Sequence, residues 1–101
     1  MSKAGSDDDQ CQKETLKLLL AHDTSATESF VRTHAGWMLL LAKRIVHDPA
    51  LAEDVIQNAF ANIFRSLSNF DGRSSIKTWM HRIVVNQALM ELRNRANGIW
   101  Y

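Results

Sequence analysis

Apolar residues recur every three to four positions along three stretches of this chain, and no stretch alternates in the manner of a strand. The clearest stretch carries Ala52, Val55, Ile56, Ala59, Phe60, Ile63, Phe64 and Leu67 as one stripe. Asp48 is placed to cap this helix. Pro49 fits its first position, where no backbone donor is needed, and the helix should run to about Leu67. Upstream, Phe30, Trp37, Met38, Leu41, Ala42 and Ile45 predict a helix ending near Val46. Ser25-Ala26-Thr27-Glu28 reads as the capping box that starts it. Downstream, Ile76, Trp79, Met80, Ile83, Gln87 and Met90 mark one face of a last helix, which should reach about Arg95. Ser74 or Ser75 would cap it after the loop-like run Ser68–Ser75. Leu16, Leu18, Leu19 and Leu20 mark a short helix over Lys13–His22. The expected fold is all-α: a compact bundle of three main helices plus a short N-terminal helix.

With 101 residues, one core is all the chain can bury. Residues 1–12 read as a disordered acidic tail, because Asp7-Asp8-Asp9 has nothing apolar around it. Residues 13–96 form the helical domain, and 97–101 are a C-terminal tail. Nothing approaches a membrane span or a signal peptide, and Cys11 has no cysteine to pair with. These features fit a reducing, cytoplasmic setting.

The polar residues are less ordinary than the apolar ones. Opposite the stripe of the third helix stand Glu53, Asp54, Gln57, Asn58, Asn62 and Arg65. Short acids and amides suit directional hydrogen bonds to a protein partner better than a solvated Lys/Glu face would. Charge is also uneven. Residues 1–28 hold three bases and six acids, 29–72 hold four of each, and 73–101 hold five bases and one acid, Glu91. A basic segment on an otherwise neutral domain is the footprint of phosphate contact. Phe70, Arg73, Ser74, Lys77, Arg82 and Asn86 supply the π-face, guanidinium and amide groups that single-stranded nucleic acid needs. Each also has a plainer reading. Trp79 lies on the apolar stripe and is expected in the core. Phe70 could equally plug the loop onto the bundle, and Asn86 could bond within its helix.

Enzyme chemistry and cofactors are not expected. His22, His34, His47 and His81 fall on different segments with no ligand spacing, so no metal site is expected. Glu53 and Asp54 are neighbours, roughly 100° apart on a helix, and make a poor acid–base pair.

At these residues the chain resembles the second conserved region of a bacterial sigma-70 family sigma factor, of the extracytoplasmic-function type. The resemblance covers about two thirds of the chain, from Phe30 to Arg95. It is carried by Ala42–Val46, Ala52–Gln57, Phe70-Asp71-Gly72 and Thr78–Asn86, in that order. It implies a transcription initiation role. Glu53, Asp54, Gln57 and Asn58 would dock on a coiled coil of the largest subunit of core RNA polymerase; the family usually has an acid where Asn58 stands. The loop Asn69, Phe70, Asp71, Gly72, Arg73, Ser74, Ser75, together with Lys77, Arg82 and Asn86, would hold promoter DNA. There a minus-ten base of the non-template strand is flipped into a pocket, at a cost of a few kcal/mol. The two adjacent aromatics with which primary sigma factors wedge the duplex correspond to Trp79 and Met80, so melting should be weaker and promoter choice stricter. An anti-sigma protein is a further implied partner. The family continues into a helix-turn-helix domain for the minus-thirty-five element, and Gly98-Ile99-Trp100-Tyr101 does not match the linker expected there. Trp100 and Tyr101 could instead pack on the bundle or mediate self-association. Two rivals stand beside this reading. One is a helical protein-interaction module without a DNA role, such as a polymerase decoy or an anti-sigma-binding domain. The other is a duplex-reading helix-turn-helix, which lacks its short turn here.

Overall fold

A computed structural model describes the backbone of residues 3–96 and the side chains of 12–95. Four helices follow one another: α1 (Lys3–Leu20), α2 (Thr24–Val46), α3 (Pro49–Ser66) and α4 (Ile76–Ala96), with one 3₁₀ turn, Leu67–Asn69, extending α3. The expected all-α bundle is what forms. The tail expectation for residues 97–101, with Trp100 and Tyr101, lies outside the described residues.

The helix ends show why the chain breaks where it does. After α1, His22 takes the left-handed conformation at φ 62°. Its amide donates to the Leu19 carbonyl and the Asp23 amide to the Leu18 carbonyl, which satisfies the last carbonyls of the helix. Asp23 then caps α2 by accepting from the Ala26 amide at 2.7 Å. The expected capping box at Ser25–Glu28 therefore sits inside the first turn, because Asp23 reaches the orphan amides first. His47 repeats the left-handed turn at φ 56°. Asp48 accepts from the Ala50 and Leu51 amides at 3.0 and 3.2 Å, ahead of Pro49, as expected. Those amide bonds, aided by Arg95, hold the Asp48 carboxyl below its ordinary pKa.

α1 begins well before Lys13, so the segment expected as a tail is largely helical. Apolar periodicity starts only at Leu16, and a polar extension of the same helix leaves no periodic signal to read.

The core is Met38 and Ala42 from α2, Ala52, Val55, Ala59 and Ile63 from α3, and Met80, Val84 and Ala88 from α4, all fully buried. Alanines at four of these places let the helix backbones approach closely. α2 and α4 run parallel: Trp37 stacks on His81 near one end, and Asp48 meets Arg95 at 3.3 Å near the other. α3 runs antiparallel to α4, with Asn62 against Gln87 and Asn58 against Glu91. The α4 core face is rotated from the expected one. Val84 and Ala88 lie inside it, while Met90 is 47% exposed. Among the described residues, no helix is long and apolar enough to cross a membrane.

Candidate nucleic-acid and protein interface

The polar side of α3 splits in two. Glu53, Asp54 and Gln57 are exposed. Asn58, also exposed, turns its amide onto α4 and donates to Glu91 Oε2 at 3.1 Å. Asn62 is half-buried and donates to Gln87 Oε1 at 2.9 Å, while its own oxygen accepts from Arg65 at 2.8 Å. The seam between α3 and α4 thus absorbs two of the amides that the sequence suggested were free for a partner. Gln87 is 7% exposed and completes the seam by donating to Glu91 Oε2 at 3.1 Å.

The α3–α4 connection builds the second feature. The 3₁₀ turn is closed by the Phe70 amide on the Leu67 carbonyl. Gly72 has φ 79°, a left-handed value that an L side chain would strain. Asp71 accepts from the Arg73 amide at 3.0 Å and pairs with its guanidinium at 3.4 Å. Both groups are largely exposed, so this pair shapes the loop more than it stabilises it. Ser75 is the serine that caps α4, accepting from the Thr78 amide at 3.1 Å. A second orphan donor, the Ile76 amide, is taken by Gln12 Oε1 of α1 at 2.9 Å.

This loop and the first turns of α4 enclose an open cavity of about 460 Å³, lined by Asn69, Phe70, Asp71, Arg73, Ser74, Trp79 and Arg82. That is within the size of ligand-binding clefts, about 300–1,000 Å³. Six of the ten residues expected at DNA line it. Gly72 shapes the turn beside it, and Ser75 is spent on the cap. Asn86 is exposed one turn beyond Arg82 on the same face, outside the lining. Lys77 points elsewhere, with its Nζ 5.3 Å from the centre of the Trp37 ring on α2.

Trp79 contributes to core and cavity alike. It is half-buried against the core and meets Phe70 with ring centroids 5.2 Å apart. Met80, its neighbour, is fully buried. The position implied for a second wedging aromatic therefore faces inward, and only Trp79 of the two reaches the surface. Successive helix residues point about 100° apart, which is why both cannot share one exposed face.

A further cluster was not legible from the sequence. Trp37 Nε1 donates to His34 Nδ1 at 2.9 Å, and the His81 ring lies parallel to Trp37 within 11°. Burial first, and then nearby Lys77, push the His34 pKa down. An unprotonated Nδ1 is what the Trp37 hydrogen bond requires. Among the described residues, no group of His, Cys, Asp and Glu is arranged to hold a metal.

Residues 30–98 match the sigma-70 region 2 family. The RNA polymerase sigma-H factor of Pseudomonas aeruginosa is 41% identical over 66 residues, which cover 65% of this chain and 34% of that protein. An ECF RNA polymerase sigma factor, SigM of Mycobacterium tuberculosis, is 31% identical over 85 residues, covering 81% of this chain and 43% of that one. A probable RNA polymerase sigma factor of Haemophilus influenzae is 40% identical over 62 residues, 61% of this chain and 32% of its own length. The chain spans less than half the length of each of these relatives. It belongs to the sigma-70 region 2 family, in its extracytoplasmic-function branch.

Proposed function

We propose that this domain acts in transcription initiation, in the cytoplasm, by joining core RNA polymerase to the minus-ten element of a promoter. Glu53, Asp54 and Gln57 on the exposed side of α3 are the docking surface for the coiled coil of the largest polymerase subunit. Asn58 takes part through the carbonyl oxygen and the second amide hydrogen that its bond to Glu91 leaves free. The cavity between the loop and α4 receives one flipped base of the non-template strand. Phe70 and Trp79 offer it π-faces, Asn69 and Asp71 offer edge hydrogen bonds, and Arg82 and Arg73 offer phosphate contact. Asn86 and Arg93 continue that path along exposed α4.

The observation that carries this reading is the pairing of an aromatic wall with two guanidinium groups around one open cavity, on a face separate from Glu53 and Asp54. Such a cavity suits a base and its phosphate. An anti-sigma protein that covers either face would silence the domain.

The test is binding of unpaired minus-ten DNA by the domain with core polymerase, titrated against salt. Each phosphate contact contributes about −0.7 to the slope of log K against log salt for a single strand. Arg82→Ala should lower affinity and flatten that slope, whereas Asn86→Ala should lower affinity with the slope unchanged. Salt-independent or absent DNA binding by a domain that does bind polymerase would favour the protein-interaction module instead. Preference for intact duplex over single strand would favour a helix-turn-helix reader.

A further inference from the structure

The seam between α3 and α4 holds a continuous hydrogen-bond chain with one polarity. Arg65 donates to Asn62 (2.8 Å), Asn62 donates to Gln87 (2.9 Å), and Gln87 donates to Glu91 Oε2 (3.1 Å). Asn58 donates to the same Glu91 oxygen at 3.1 Å. A cation therefore stands at one end and a carboxylate at the other, with every amide between them aligned. Aligned bonds of this kind polarise one another. Gln87 is the hub and the one buried polar residue among those described, with both ends of its amide engaged.

We infer that Asn58, Gln87 and Glu91 are positioning residues that fix the register of α3 on α4. They hold the acidic docking face at a set angle to the DNA face. The inference rests on the polymerase-docking reading for its functional half only.

The chemistry restricts what position 58 can be. Glu91 can accept and cannot donate when ionised, so its partner must bring a hydrogen. Asn58 does so. A carboxylate at 58 would oppose Glu91 and break the end of the chain, even though it would add a charge to a face that is already acidic. A rescue follows from the same donor–acceptor requirement. Gln at 91 can accept from Gln87 through its oxygen and donate to a carboxylate at 58 through its nitrogen.

Asn58→Asp, Glu91→Gln and the double variant are made and compared by thermal unfolding and by affinity for core RNA polymerase, measured where every variant is folded. The single Asp variant should lower Tm by roughly 2–4 °C and weaken polymerase binding several-fold. Glu91→Gln alone should change little, and the double variant should regain both quantities. Gln87→Met, which keeps length and helix propensity, should lower Tm further than Asn58→Asp. Overturning results are Asn58→Asp that binds polymerase as well or better with Tm unchanged, a double variant no better than the single one, or Gln87→Met with Tm unchanged. If the wild-type domain does not bind polymerase at all, the docking reading fails. The Tm values of the four proteins still decide the register lock, for it if the double variant recovers and against it if not.

Discussion

Phe70 and Trp79 meet across the turn into α4, with ring centroids 5.2 Å apart and planes tilted by 48°. The pair lies where the loop, the cavity and the core come together. Trp79 is anchored by packing against the core, whereas Phe70 is held by the turn and by Trp79. Their truncations should therefore separate. Phe70→Ala should weaken binding of unpaired DNA by about 1–3 kcal/mol, the value of one base–aromatic stack, with little loss of Tm. Trp79→Ala should destabilise the fold by about 2–3 kcal/mol, below the range for a fully buried aromatic because the ring is only half-buried. Oligonucleotide titrations and thermal melts check the two effects. If Phe70 only plugs the loop, the order reverses for that residue: Tm falls and DNA binding is untouched.

Met80 gives a second prediction with the opposite logic. A tryptophan there would not extend the surface of Trp79, since the side chain is fully enclosed. Met80→Trp should overpack the core and cost about 1–3 kcal/mol in denaturant unfolding. It should bring no gain in opening imperfect promoters. A stable variant with stronger melting would show that the residue turns outward in the working complex.

The contrast between Trp79 and Met80 also marks what the sequence could disclose. Periodicity identified α2, α3 and α4 and their order, because a stripe of apolar side chains must be buried somewhere. It left the rotation of α4 undetermined by about one residue. Val84 and Ala88 were hidden among other small apolar residues, and Met90 looked as apolar as Met80. Pro49 after Asp48 fixes one helix start, but nothing local separates Asp23 from Ser25 as the next cap, since both are good caps. The cavity was legible through Phe70, Asp71, Gly72 and Arg82. The inward turn of Asn58 and Asn62 was not, for it depends on Gln87 and Glu91 from the antiparallel helix. A polar face on one helix does not say whether its partner is another protein or the next helix of the same chain.

His34 makes stability depend on pH. Its pKa is lowered in the folded protein, first by burial and then by Lys77, and its Nδ1 accepts from Trp37. The folded state then binds fewer protons than the unfolded one near the ordinary imidazole value of about 6.5. The contribution is complete above that value and is lost as pH falls from there toward the lowered folded pKa. Tm should therefore drop between about pH 7.5 and pH 5.5, and His34→Gln should shrink that drop. Equal drops for the two proteins would assign the pH dependence to other groups.

The proposed role requires that the acidic face of α3 dock on polymerase. The most direct measurement is capture of core RNA polymerase by the domain, with wild type beside Asp54→Arg and Gln57→Ala. Both residues are exposed and make no bond to another side chain among those described, so the variants should fold as the wild type does. Capture by the wild type, abolished by Asp54→Arg and reduced by Gln57→Ala, is the predicted result. A folded wild-type domain that captures no polymerase, or variants that capture it equally well, would contradict the account.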